Sequence, residues 1–278
     1  KSELTPKDSH NLSKLKTIAS TGSPLSHESF SYIYESVSPA VHLASISGGT
    51  DICGCFMLGW PELPVFAGQI QVPALGMDVR ILNPDGSRTK PGDKGELVCA
   101  NTFPSAPLFF WGDKENEKYL ASYFEKFPGI WTHGDFVEPT QESGFIMHGR
   151  SDATLNVAGV RIGTAEIYRI CEEFEEVLES LAVAQKWESD TRVLLFLKLN
   201  PGSALTDAFC DQIKQALKQK ASPRHVPALI LQAPDFPRTK SGKLVELAVT
   251  RAVNKEPIDN LGALANPESL EWFKDLNL

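Results

Sequence analysis

At Ser151-Asp152 the spacing of apolar residues changes character, and this constrains the possible folds more than any other feature of the chain. Before it, short apolar runs at 78–82, 96–99 and 145–147 are divided by the turn signals Asn83-Pro84-Asp85-Gly86 and Pro91-Gly92, as in a succession of short strands. A helix over 27–37, with Phe30, Ile33, Tyr34 and Val37 at helical spacing, feeds a strand over 41–46, and a further helix falls near 114–124. After it, a two-stranded piece at 155–161 leads into a helix over 165–174 and strands at 181–184 and 192–199. A helix over 207–220, a strand at 226–231 and a last helix after Gly242 follow. The expectation is α/β plus α+β: a first module over 1–151 built from an α/β unit and a β-rich portion, and a small α+β module over 152–278.

The 278 residues can bury a core for each module, and 42% hydrophobic with 22% charged residues is ordinary globular composition. A formal charge of -8 argues against nucleic acid or an anionic membrane as partner and leaves phosphate recognition to local pockets. The longest apolar run, 193–199 with Lys198 inside it, is far short of a membrane span. Five cysteines without paired C-x-x-C units read as free thiols. A cytoplasmic protein acting on small molecules is expected, and because the chain opens at Lys1 without Met it reads as a piece of a longer product.

Four segments carry candidate chemistry. Gly22, Ser23 and Pro24, before the first helix, let backbone approach a flat ligand, although such a stretch also serves as a plain turn and N-cap. Ser47-Gly48-Gly49-Thr50-Asp51, at the end of the 41–46 strand, offers close backbone approach, a hydroxyl and a carboxylate for phosphate and Mg2+, or else a glycine turn. His133-Gly134-Asp135 with Arg150 fifteen residues on supplies a carboxylate able to hold two vicinal hydroxyls and a cation to close the other side. A surface ion pair is the alternative. Lys243, in Pro237-Arg238-Thr239-Lys240-Ser241-Gly242-Lys243, is expected at the first turn of a helix, where it opposes the dipole unless an anion joins it; an exposed lysine is the alternative.

Taken in this order, and with the run Gly149-Arg150-Ser151-Asp152-Ala153-Thr154-Leu155-Asn156-Val157-Ala158-Gly159-Val160-Arg161-Ile162-Gly163 between the third and fourth, the segments resemble the adenylate-forming superfamily of acyl-CoA synthetases, luciferases and peptide-synthetase adenylation domains. The ending Gly262 to Leu270, with Arg224-His225-Val226-Pro227 before it, is similar within that family to the ligases that activate acetoacetate. The resemblance implies ATP, Mg2+ and coenzyme A as substrates or ligands. Gly22, Ser23 and Pro24 would line the adenine, Thr50 would touch the α-phosphate and Asp51 would hold the metal. Asp135 and Arg150 would bind the ribose, with Gly48 and Gly49 in the acid pocket and Lys243 as the catalytic lysine. Asp152 would be the hinge about which the second module swings, removing Lys243 and bringing Gly159 to a pantetheine tunnel, with Arg161 on phosphate.

Three departures modify that expectation. Ser47 and Asp51 stand where the family commonly has an aromatic residue and Glu, and Gly48 stands where some acetate-specific relatives carry Trp, which implies room for a longer acid. The Ser/Thr/Gly-rich phosphate loop that the family places upstream does not occur, so the chain is expected to form no acyl-adenylate unaided and to expose apolar surface near its first helix and strand. Acetyl- or propionyl-CoA synthesis and a noncatalytic module of the same fold remain the alternatives. A hydrolase using Ser47 or Cys53 lacks a base in any recognisable motif.

Overall fold

A computed structural model describes residues 4–157, 160–188, 190–258 and 260–278. The chain divides into two compact units, Lys1–Ser151 and Asp152–Leu278.

In the first unit a short helix α1 (Pro6–Ser9) precedes β1 (Thr17–Ser20), which pairs in parallel with β2 (His42–Ser45) through the crossover helix α2 (His27–Tyr32). Ser26 caps α2 by accepting a hydrogen bond from the Ser29 amide, and Phe30 is its buried contact. The expected helix over 27–37 ends at Tyr32, and Ile33–Val37 wind on as a π turn. Ser20 and Ser45 are register partners at the carboxyl end of the pair, so the segments after them leave the same sheet edge. Strands β3 (Ser47–Gly49), β4 (Gly54–Leu58) and β5 (Val72–Pro73) then form a small antiparallel sheet.

A four-stranded antiparallel meander follows: β6 (Val79–Leu82), β7 (Gly95–Cys99), β8 (Trp131–Pro139) and β9 (Phe145–Arg150). Helix α3 (Glu117–Tyr123) enters between β7 and β8. It starts later than the pattern suggests because Asn116 takes a left-handed conformation and the Asp113 carboxylate receives the Tyr119 amide. The core of this unit joins Ile52, Phe56, Ile70, Leu97, Trp131 and Val137, with Tyr123 stacked on Trp131 at 3.7 Å between centroids. The parallel pair is only half covered, and Leu4 beside α1 is exposed, but the most exposed large apolar side chains are Leu75, Leu108 and above all Trp111, which is 97% exposed.

The second unit opens with the hairpin β10 (Leu155–Val157) and β11 (Val160–Ile162), then helix α4 (Thr164–Cys171), whose Glu166 side chain accepts from the Gly163 amide. Strands β12 (Val177–Trp187) and β13 (Asp190–Leu199) form a long hairpin, and β14 (Leu229–Gln232) adds in parallel to β13. Helix α5 (Asp207–Lys220) buries Phe209, Ile213 and Leu217 at four-residue spacing and is capped by Thr206. The last strand starts after Pro227, three residues later than its apolar run, because 223–225 form a 3-10 turn. Helices α6 (Glu246–Val253) and α7 (Ser269–Lys274) complete the unit.

Central strand β13 explains why this unit is a closed sandwich. Its odd-numbered Val193, Leu195 and Leu197 face α4 and α5, and its even-numbered Leu194 and Phe196 face α6 and α7. A strand covered on both faces reads as an unbroken apolar run, which is the pattern at 193–197, before Lys198. No helix among the described residues is long and apolar enough to cross a membrane.

Candidate functional site

The third sequence segment is built by an irregular strand. Pairing of β8 with β7 shifts between Glu96 and Val98, and its pairing with β9 shifts between Asp135 and Val137. Opposite β7 the stretch His133-Gly134-Asp135 is a bulge of β8 facing Leu97 alone, a device that re-aims a side chain, whereas opposite β9 the extra residue lies in β9, where His148 and Gly149 face Phe136. Gly134 sits at φ +82, and a Cβ there would lie 2.5 Å from Arg150 Nη2, so glycine both allows the bulge and leaves room for the guanidinium.

Across the β8–β9 ladder Asp135 is the register partner of Arg150. Arg150 donates from Nη1 to Asp135 Oδ1 at 3.3 Å and to the His133 carbonyl at 3.0 Å. Ser47 donates to Asp135 Oδ2 at 3.1 Å. The buried carboxylate is thus held from both sides, while Arg150 remains about half exposed and able to meet a ligand.

His133 links this strand to the second segment. Its Nε2 lies 3.2 Å from the Gly48 carbonyl and 3.6 Å from Asp135 Oδ2, both acceptors, so the proton belongs on Nε2. The ring stands edge-on to Phe56 and packs against Gly49, and its Nδ1 is buried with no hydrogen-bond partner among the described residues. Burial holds the imidazole below its ordinary pKa of 6.5, partly opposed by the Asp135 charge and reinforced by Arg150. His133 is a neutral strut under the Gly48-Gly49 backbone.

The second segment is itself a hairpin rather than the open glycine loop expected after the 41–46 strand. β2 stops at Ser45, and Ser47–Gly49 pair with Gly54–Leu58 around a turn closed by the Cys53 amide and Thr50 carbonyl. The strands come so near that a Cβ on Gly48 would lie 2.0 Å from the Gly54 carbonyl oxygen. Thr50 and Asp51 project at the exposed tip. Asp51 accepts a short hydrogen bond from the Tyr123 hydroxyl, and burial together with that carboxylate pushes the Tyr123 pKa up, so the phenol stays a donor.

Gly22, Ser23 and Pro24 form the exposed connection from β1 to α2, with Gly22 at φ +99. Because β1 and β2 are parallel and in register at Ser20 and Ser45, this connection and the β3–β4 hairpin leave the same carboxyl edge. The crevice beyond the carboxyl ends of parallel strands is where open α/β sheets take ligands.

Glu96 and Tyr123 are participants that sequence reasoning missed. Glu96 is buried, paired with Lys126 and receiving the Ser151 hydroxyl at 2.9 Å. It fixes the residue just before Asp152 to strand β7. Both work through partners distant in sequence, so neither carries a local signal.

In the second unit, Lys243 is exposed, but not at a helix start. Helix α6 begins at Glu246, and Lys243 closes a tight hairpin in which the Thr239 amide donates to its carbonyl at 2.9 Å and its own amide donates to Thr239 Oγ1 at 3.1 Å. The expected clash with a helix dipole therefore does not arise. Arg161 is exposed on β11 opposite Asn156. Asp152 is exposed at the head of the unit. Gly159 lies outside the described residues.

No group of three or more His, Cys, Asp or Glu that could cage a metal occurs among the described residues. Asp51 can instead contribute one carboxylate to a cation that arrives with phosphate oxygens and water, the usual situation for Mg2+. All five cysteines are free, and burial pushes the Cys55, Cys99, Cys171 and Cys210 thiols up.

Comparison with known proteins yields no matching family profile. The chain is 54% identical over 276 residues to acetoacetyl-coenzyme A synthetase of Rhizobium meliloti (strain 1021), covering 99% of this chain and 42% of that protein. It is 44% identical over 277 residues to the acetoacetyl-CoA synthetase of Gallus gallus, covering 98% of this chain and 41% of that one. The solved acetoacetyl-CoA synthetase from Streptomyces lividans superposes with a TM-score of 0.88 at 37% identity, over 98% of this chain and 42% of the other. An anthranilate CoA ligase at 20% identity and TM-score 0.72 shares the fold. The chain spans about two-fifths of the length of the curated relatives it matches.

Proposed function

We propose that this chain, a member of the adenylate-forming acyl-CoA synthetase family, serves as the nucleotide-gripping and lid-bearing part of a ligase that activates acetoacetate with ATP and passes it to coenzyme A. The observation that carries this reading is the Asp135–Arg150 pair, a buried carboxylate held by Ser47 with a half-exposed guanidinium directly across the ladder. The extensive identity to acetoacetyl-CoA synthetases supports acetoacetate as the acid.

In the first half-reaction a carboxylate oxygen of the acid attacks the α-phosphorus, the bond to the β-phosphate oxygen breaks, and pyrophosphate leaves. Asp135 accepts the ribose hydroxyls while Arg150 covers the sugar, which removes rotational freedom from the nucleotide before reaction. Thr50 and the hairpin amides meet the α-phosphate, and Asp51, oriented by the Tyr123 hydroxyl, is the carboxylate for Mg2+. That ion would neutralise phosphate charge when bound. Lys243 carries positive charge to the oxygens on which negative charge gathers in the transition state, which demands that its turn be held rigidly. In the second half-reaction the CoA sulfur attacks the acyl carbon, AMP departs with the carboxyl oxygen it gained, and the thiol proton passes to solvent. Rotation about Asp152 exchanges Lys243 for the Gly159 and Arg161 hairpin between these steps.

The test compares acetoacetate with acetate and propionate as substrates of the full-length gene product. Acetoacetate should show the highest kcat/KM, and a preference for acetate or propionate would replace it as the substrate. Lys243→Ala should cut acid-dependent pyrophosphate exchange by at least ~100-fold, in the range for loss of a charge-stabilising donor. The 278-residue chain alone should show no exchange. Absence of turnover with all three acids would favour a noncatalytic module.

A further inference from the structure

The turn that carries Lys243 is gripped by a segment far from it in sequence. The Asn266 side chain accepts the Arg238 amide on Oδ1 at 2.8 Å, and its Nδ2 donates to Asp235 Oδ2 at 3.0 Å and to the Phe236 carbonyl at 2.9 Å. Next to it the Ala265 amide donates to the Arg238 carbonyl at 2.8 Å, and the Lys240 amide donates to the Ala263 carbonyl at 3.2 Å. Thr239 and Leu264 form a bridge. The segment 263–266 therefore acts as an added edge strand on the base of the Lys243 hairpin.

Both ends of this brace are anchored. Leu264, Leu270 and Phe273 are buried against Phe196, Phe236 and the helix α6 face, and Phe273 stands edge-on to Phe196 at 5.0 Å. Asp235 is tied to Lys198 on β13 at 2.7 Å, an ion pair whose hydrogen bond holds the Asp235 carboxyl below the usual range. Arg238 completes the grip from the other side, donating to the Gly242 carbonyl at 2.7 Å and pairing with Glu179 on β12. The exposed hairpin has no core of its own, so its shape depends on these contacts.

We propose that Asn266, through the edge strand it pins to Arg238, is a positioning residue for Lys243: it sets the geometry of the lysine turn used in adenylate formation and has no part in thioester formation. The proposal rests on the ligase reading for its catalytic half and on geometry alone for its structural half. An amide side chain is required because it offers one acceptor and two donors at once, and all three are used. Aspartate would keep the acceptor, lose both donors and stand against Asp235.

The experiment measures the two half-reactions separately in the full-length gene product carrying Asn266→Ala or Asn266→Asp. Acid-dependent pyrophosphate exchange should fall ~10- to 100-fold, with the KM values for ATP and acid changed less than about threefold. Conversion of supplied acyl-adenylate and CoA to thioester should stay within about twofold. Equal loss in both half-reactions, or undiminished exchange, would overturn the proposal. Amide hydrogen exchange in the 278-residue chain reads the brace without reference to catalysis. Lys240 and Gly242 should lose protection in Asn266→Ala while β13 amides keep theirs, and unchanged protection at both overturns the structural half. A wild-type enzyme silent in pyrophosphate exchange overturns the ligase reading, and with it the catalytic half of this proposal.

Discussion

The two units solve the same folding problem in opposite ways. The second is built, beside its β10–β11 hairpin, on a three-stranded sheet whose central strand β13 is buried on both faces, so its stability is concentrated in apolar contacts. The first is three small sheets whose shared apolar core is supplemented by polar ties: Ser47 to Asp135 and His133 to Gly48 between two sheets, Tyr123 to Asp51 from α3, and Arg150 to Asp135 and Ser151 to Glu96 within the meander. Apolar packing is non-directional, whereas a hydrogen bond is specific in distance and angle. The second unit thus gains cohesion from a core that leaves its lysine turn on the outside, and the first unit gains side-chain orientation from polar ties that contribute little net stability.

The sharpest way to break this contrast is to remove a side chain from the middle of the second sandwich. Phe196→Ala should cost that unit about 3–5 kcal/mol, the usual range for a buried Phe. Urea unfolding should show its transition displaced while the first unit's transition stays in place. A common shift of both transitions would mean that the units do not unfold independently. A smaller effect is expected where the first unit uses geometry instead of bulk. Gly134→Ala places a methyl in the left-handed region and against the Arg150 guanidinium, at a cost of about 1–2 kcal/mol in the first unit. It should weaken nucleotide binding by more than that stability loss accounts for, as followed by titration with an acyl-adenylate analogue.

The smallest expected effect is a pH dependence confined to the first unit. His133 is neutral when folded because burial depresses its pKa, while in the unfolded chain it titrates at about 6.5. As pH falls below that value the unfolded state takes up a proton that the folded state refuses, so stability declines until the folded pKa is reached. Above about 6.5 the contribution is complete. The urea midpoint of the first unit should therefore drop on acidification from pH 7, and His133→Asn should flatten that slope. An unchanged slope would place the titration elsewhere.

The second unit was the more legible of the two because its physics is periodic. The unbroken apolar run at 193–197 and the four-residue spacing of Phe209, Ile213 and Leu217 announce a covered strand and its helix. In the first unit the strands are short and interrupted. β1 has one aliphatic side chain beyond Ala19 and lies half exposed, and β8 has its alternation broken by the Gly134 bulge, so neither carries a clean period-two signal. β4, opening on Gly54 beside the motif hairpin, is likewise too short and glycine-led to stand out. The candidate residues of the glycine hairpin, the bulge and the lysine turn could be picked out as short segments, but not the contacts that orient them. Glu96 looks like any surface glutamate after a turn glycine until Lys126 and Ser151 close on it. The assignment of Lys243 to a helix start failed because the chain makes a hairpin first, held by Asn266 from beyond α6.

The contact between Gly48 and the Gly54 carbonyl restricts how this region can diversify. Where two peptide planes touch, a side chain at Gly48 is admitted only if the main chain of β4 stands further off. Exchange at this position, such as the Trp that some acetate-specific relatives carry, is therefore coupled to the path of β4 and of the Thr50 to Cys53 turn, and does not amount to the swap of one side chain.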